Sequence, residues 1–156
     1  MKIRHFALSA SVVALAGLGV AYAQIKPVSA RTTAVVYKTA SCGCCSMWVE
    51  HLKANGFQVE TKDVSADEVR AVSKAAGLKD EGTSCHTAKI GNYIVEGHVP
   101  ASDIQKMLAE KPAIAGIAAP GMPMGSPGME QGGAKDAYDV VAFTKDGKTS
   151  VFAKHK

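Results

Sequence analysis

The sequence predicts an α/β fold, and three observations carry the prediction. Short β-branched runs alternate with stretches whose apolar residues recur at helical spacing. Glycines stand where two of the helical stretches stop, and a two-residue Gly91-Asn92 connection joins two of the strand-like runs as a hairpin.

Ala34-Val35-Val36-Tyr37 is the first strand, bounded by polar residues, and the tetrapeptide Cys42-Gly43-Cys44-Cys45 follows it directly. From Ser46 to Asn55 the residues Trp48, Val49 and Leu52 share one helical face, and Gly56 supplies a left-handed stop. Phe57 to Thr61 alternates as a second strand. Ser65-Ala66-Asp67-Glu68 has the form of a capping box, opening a second helix that uses Val69, Val72 and Ala76 and ends at Gly77. Thr87–Ile90 and Tyr93–Glu96 flank the Gly91-Asn92 turn. Pro100 opens a third helix with Ile104, Met107 and Leu108 on one face, and Pro112 ends it. Residues 112–133 hold six glycines and four prolines, a composition that excludes a regular helix or central strand and predicts an irregular surface loop. Asp139–Phe143 and Thr149–Phe152 around Asp146-Gly147 then read as a C-terminal β-hairpin.

The order β-α-β-α-β-β-α with a Cys-x-x-Cys pair between the first strand and helix is that of a thioredoxin-like domain, to which this chain adds a Gly/Pro/Met loop and the hairpin. The boundaries read as a signal peptide over 1–23, a flexible leader over 24–32 and one thioredoxin-like metal-binding domain over 33–156. Lys2, Arg4 and His5 precede the apolar run Phe6–Val20, and Ala21-Tyr22-Ala23 is a small-x-small cleavage pattern, so export with cleavage after Ala23 is expected. The apolar run is shorter than the roughly 20 residues a spanning helix needs, so no membrane span is expected after cleavage. Removing Lys2 and Arg4 lowers the formal net charge of +4 by two, and the remaining cations are dispersed among acids, which points away from nucleic acid.

Three of the four cysteines lie within Cys42–Cys45, and the fourth, Cys85, adjoins His86. Adjacent cysteines such as Cys44 and Cys45 bridge each other only through a strained ring, so soft-metal binding or thiol redox chemistry explains the cluster better than a structural scaffold. A helix N-terminus favours the thiolate, which is both nucleophile and metal ligand. With a thioredoxin-like topology, Cys85 falls opposite Cys42–Cys45 and completes a four-sulfur site. Thioredoxin-like domains usually carry a cis-proline at that point, and Ser84-Cys85-His86-Thr87 contains no proline. Met122, Met124 and Met129 cluster in the Gly/Pro loop, where methionine has little apolar packing to do; thioether beside thiolate selects Cu(I), and zinc sites rarely use methionine. His86 and His98 are candidate ligands. His51, four residues from Met47 on one helix face, and His155, near the chain end, are weaker ones.

Four separated motifs add a family resemblance. Cys42-Gly43-Cys44-Cys45 with Trp48, Ser84-Cys85-His86-Thr87-Ala88, Glu96-Gly97-His98-Val99-Pro100-Ala101 and Pro120-Gly121-Met122-Pro123-Met124-Gly125-Ser126-Pro127-Gly128-Met129-Glu130 resemble, in this order, the CopG-like family of periplasmic copper-resistance proteins. The resemblance spans Val35 to Phe152. It implies a thioredoxin-like fold and Cu(I) handling in the envelope of a Gram-negative bacterium. It also implies a copper cluster on Cys42, Cys44, Cys45 and Cys85, with His86, His98, Met122, Met124 and Met129 as the histidine and methionine candidates. The expected function is that of a periplasmic Cu(I)-binding protein holding one or more ions, with copper and other periplasmic copper-handling proteins as partners. A thiol-disulfide oxidoreductase or copper-coupled redox protein using Cys42 and Cys45 is the alternative, and a structural zinc site is a third reading.

Overall fold

The computed structural model describes residues 32–156, so the signal peptide over 1–23 and nearly all of the leader over 24–32 lie outside the described residues. The elements run β1 (Thr33–Lys38), α1 (Gly43–Ala54), β2 (Gln58–Asp63), α2 (Ala66–Ala75), a 3₁₀ turn at Asp80–Gly82, β3 (His86–Ile90), β4 (Tyr93–Glu96), α3 (Ala101–Glu110), β5 (Gly116–Ala118), β6 (Tyr138–Phe143) and β7 (Thr149–His155). All seven strands form one sheet in the order β2-β1-β3-β4-β5-β6-β7. β1 pairs with β2 in parallel and with β3 antiparallel, and β3 and β4 form the expected hairpin.

Local chemistry accounts for the helix ends. Ser65 and Glu68 make the reciprocal capping box at the start of α2, and Gly77 takes a left-handed φ of 95° just past its end. Lys111 closes α3 in a left-handed conformation ahead of Pro112. Alternation along the strands sorts the core into two layers. Val36, Ile90, Val95, Ile117 and Val140 face α1 and α3, where they pack against Trp48, Leu52, Ile104 and Met107. Ile94, Ala118 and Phe143 point the other way, toward Leu78 and the Val72 and Ala76 side of α2. The sheet is thus covered on both faces, as a parallel-containing α/β sheet requires. Among the described residues, no helix is long and apolar enough to cross a membrane.

One expectation is overturned. Residues 112–133 do contain a central strand: β5, with Gly116–Ala118, pairs in parallel with β4 and antiparallel with β6. β5 joins the C-terminal hairpin to the rest of the sheet. Gly116 is there because nothing larger fits; a Cβ at that position would lie 1.9 Å from the Ile94 carbonyl oxygen and 2.8 Å from the Phe143 ring. A composition rule that treats glycine as a strand breaker misreads a glycine used for close approach. Beyond β5, residues 120–137 remain irregular as expected, and buried Ser126, Pro127 and Gly128 bind that loop to the domain.

Gly116→Ala is expected to lower the unfolding free energy by about 1–3 kcal/mol through overpacking, measured by urea denaturation. An unchanged midpoint would show that β5 is free to shift.

Candidate metal centre

Sheet register decides where the site forms. β1 ends at Lys38, and a turn closed by Cys42 N–H donating to the Thr39 carbonyl (3.1 Å) delivers the chain to α1. Cys42 is the N-cap residue, its sulfur accepting from the Cys45 N–H at 3.3 Å. The cysteine turn is therefore the first turn of the helix, which starts three residues earlier than the apolar pattern indicated. Since β3 runs antiparallel to β1 with His86 opposite Lys38, the residue before β3, Cys85, arrives at the cysteine turn. Glu96 pairs with Thr87, so the chain leaving β4 through Gly97 places His98 beside His86. Gly97 has a φ of 72°, and a Cβ there would lie 2.7 Å from both the Ala119 carbonyl oxygen and the Ser84 Cβ.

The four cysteine sulfurs lie within 4.8 Å of one another, and Cys85 shares a second group of the same tightness with His86 and His98. Cys42 and Cys45 are joined as a disulfide, while Cys44 and Cys85 are free. The Cys44 sulfur is 3.6 Å from that of Cys42 and 4.0 Å from that of Cys85, and the Cys45 sulfur is 3.5 Å from that of Cys85. On its other side the Cys85 sulfur is 3.5 Å from His86 Nδ1 and 3.3 Å from His98 Nε2. A first-row ion bound at about 2.3 Å to sulfur and about 2.0 Å to nitrogen holds two sulfurs about 3.5–4.0 Å apart and a sulfur and nitrogen about 3.3–3.8 Å apart. The donor set and its spacing both fit metal.

Burial sets the protonation states. His86 is fully buried, packed 4.4 Å from the Trp48 ring and edge-on to His98 at 4.8 Å. Burial, reinforced by His98, pushes its pKa down to about 3. Its Nε2 makes no hydrogen bond of normal geometry, and the Gly97 carbonyl only weakly opposes the effect of burial. His98 is also lowered by burial, against the Pro127 carbonyl and Glu130. His98 Nδ1 lies 2.8 Å from the Pro127 carbonyl oxygen, which can only accept, so Nδ1 carries the hydrogen and Nε2 turns a lone pair toward Cys85. Burial and then Cys44 push the Cys85 thiol up to about 12. Cys85 lies across from α1, away from the helix N-terminus expected to favour thiolates in the cysteine turn.

The predicted residues fare differently. Cys42, Cys44, Cys45, Cys85, His86 and His98 converge. Met122, Met124 and Met129 sit on a loop seated against the site: Gly128 packs so closely on the cysteine turn that a Cβ there would lie 2.8 Å from the Cys44 carbonyl oxygen. Met129 follows this contact directly, whereas Met122 is 54% exposed. His51 is spent structurally, its Nε2 accepting from the Ala101 N–H at 3.0 Å, and His155 pairs with Asp103 at 2.7 Å while stacking on Tyr138.

Sequence reasoning missed Glu96. Its carboxylate is buried and accepts from the Ser84 N–H at 2.7 Å and from the Thr87 hydroxyl, bracketing Cys85 and His86 from both sides. A charged residue ending the apolar run Tyr93-Ile94-Val95 was the available signal. Burial raises its pKa to about 7.

Residues 82–129 match a family model described as "Protein of unknown function, DUF411". Two solved structures titled "Copper resistance protein copG", forms 1 and 2, are 46% and 48% identical to the chain. The matches cover 79% and 81% of this chain and 96% and 99% of theirs, with TM-scores of 0.72 and 0.73. The chain belongs to the CopG family. No curated protein matches it. The CopG matches span nearly the whole of the solved chains.

Two outcomes are expected of the metal-free protein. Long-range nitrogen–proton NMR should find the His86 ring neutral until the pH falls to about 3, and protonation near its ordinary value of 6.5 would contradict the burial described. Glu96 has a native pKa of about 7 against 4.5, so between those values the native state holds a proton that the unfolded chain has released. Its contribution to stability is complete below the lower value and is lost as pH rises through the upper one. Relative to Glu96→Gln, wild-type stability is therefore expected to fall by up to about 3 kcal/mol across that window. A difference independent of pH in denaturant unfolding would contradict this.

Proposed function

We propose that this chain is a periplasmic Cu(I)-binding protein of copper resistance, holding one or more Cu(I) ions through Cys42, Cys44, Cys45 and Cys85 with His86 and His98. The observation that carries this reading is the convergence of four sulfurs and two imidazoles at one end of the sheet, with the free Cys85 sulfur at donor-sharing distance from Cys44, His86 and His98. Vicinal cysteines gain a use in this reading, because a thiolate can bridge two Cu(I) ions and so build a small cluster from four sulfurs. The titles of the two CopG structures agree with it. Met129, Met124 and Met122 are proposed as thioether donors or as a receiving rim on the loop over the site, a soft-ligand role consistent with Cu(I). The export signal read in residues 1–23 supports the periplasm, where other copper-handling proteins would be the exchange partners. The strand order β2-β1-β3-β4 supports the thioredoxin-like reading of the N-terminal core.

Because Cys85 is a thiol in the metal-free protein, copper must displace its proton, and a buried neutral histidine pair costs no further proton. Affinity is expected to rise about tenfold per pH unit for each thiol proton displaced. Anaerobic titration of the reduced protein with Cu(I), read by native mass, should show retained copper and proton release. Combined Cys42→Ser, Cys44→Ser and Cys45→Ser should abolish cluster loading; undiminished retention there, or no copper on the wild type, sinks the proposal.

The Cys42–Cys45 disulfide supports a second reading, thiol-disulfide or copper-coupled redox chemistry at this pair. Catalytic reduction of a disulfide substrate without metal, insensitive to Met122→Leu with Met124→Leu, would favour it. A strictly stoichiometric reaction would count against turnover.

A further inference from the structure

The donors fall into two groups that share only Cys85: the four cysteines, and Cys85 with His86 and His98. The disulfide touches only the first. With Cys42 and Cys45 bonded to each other, two of its four sulfurs are no longer thiolates, and a cluster held by the cysteines cannot assemble. The second group loses nothing. We propose that oxidation divides the centre: the disulfide form keeps a complete one-ion site on Cys85, His86 and His98, and opening the disulfide enlarges it to hold more. The inference rests on the copper-binding reading and adds to it a redox control of capacity.

Three features show that the Cys–His–His group is built without help from the disulfide. The Cys85 sulfur lies 3.5 Å from His86 Nδ1 and 3.3 Å from His98 Nε2, the separations of donors sharing one ion. His98 is held in the required tautomer by the Pro127 carbonyl, which belongs to the loop over the site and not to the cysteine turn. His86 is packed between Trp48 and His98, with its Nδ1 toward the Cys85 sulfur. Cys44, 4.0 Å from the Cys85 sulfur, is the other free thiol and belongs to the cysteine group alone. One thiolate with two imidazoles suits a single soft or borderline ion, Cu(I) being the cargo in question.

The switch balances as thiol–disulfide exchange. A dithiol donor supplies two electrons and two protons to the Cys42–Cys45 bond, leaves as its own disulfide, and frees two thiols for metal. Cys45 is fully buried and Cys42 is not, so the incoming thiolate attacks the Cys42 sulfur and Cys45 is the leaving group.

The test compares metal capacity in defined redox states of the full protein, using Co(II) as a redox-inert probe and Cu(I) as cargo. Alkylation should report two free thiols in the oxidised form. That form is expected to take up one Co(II) with a sulfur-to-cobalt charge-transfer band and to retain one Cu(I), and after reduction by dithiothreitol and removal of the reductant to retain more than one. Cys42→Ser with Cys45→Ser, which removes the disulfide and its sulfurs together, should retain no more than one Cu(I) with or without reductant, whereas Cys85→Ser should lose the one-ion site and His98→Gln should weaken it at least tenfold. Circular dichroism checks that the variants fold, and the wild-type metal count decides the matter even if Cys85→Ser does not. Several Cu(I) on the reduced form with neither metal on the oxidised form overturns the division and leaves the copper reading intact. Oxidised-form binding that survives Cys85→Ser also overturns it. A reduced protein that binds no copper overturns the copper reading, and this inference with it.

Discussion

The register between β1, β3 and β4 is the constraint on which the centre depends. Lys38 opposite His86 and Thr87 opposite Glu96 bring three chain segments to one end of the sheet: the turn entering α1, the residues preceding β3, and the turn leaving β4. A slip of one residue would turn His86 to the other face of the sheet and break the site. The register is held from below by Val36, Ala88, Ile90 and Val95 in the core layer under α1 and α3, so the geometry of the donor cluster is a by-product of how that apolar face buries.

Burial that strong has chemical consequences. It keeps His86 and His98 neutral and Cys85 protonated, which leaves the metal-free centre without the charges that a low-dielectric site would penalise. A soft cation bound there would reverse the balance at Cys85, since the charge it brings would stabilise the thiolate that burial disfavours. Metal and proton would therefore compete for the same sulfur. Glu96 belongs to the same economy of buried groups: its two hydrogen bonds hold the strand start around Cys85 and His86 without offering a donor to the ion.

The Gly/Pro/Met segment serves as a wall rather than a linker. Ser84 donates to the Gly121 carbonyl at its entry, Pro127 accepts from His98 at its centre, and Gly128 lies against the first turn of α1. Its own turns, with Gly125 N–H to the Met129 carbonyl at 2.9 Å and Met129 N–H to the Ser126 carbonyl at 2.8 Å, make it ordered in the absence of helix or strand. Of the methionines this wall carries, Met122 stays in solvent.

Features whose cause lies within a few residues were legible in the sequence. The capping box at Ser65, the glycine stop at Gly77, the Gly91-Asn92 turn and the helical face of Trp48, Val49 and Leu52 are all local interactions, and a local pattern encodes them. The cysteine tetrapeptide at a strand-to-helix junction was equally plain, and its pairing with Cys85 followed from element order. What depends on which distant chain lies alongside was not legible. Gly116 reads as a breaker until Ile94 and Phe143 are placed against it, Glu96 reads as a strand-end charge until Ser84 and Thr87 arrive, and His51 stays a weak ligand candidate until it meets the Ala101 N–H. The sequence by itself determined the donor types and the elements that carry them, because those are properties of residues and their near neighbours. Only the tertiary structure decided which donors share an ion's reach, because that distance is set by strand register and core packing between segments far apart in the chain.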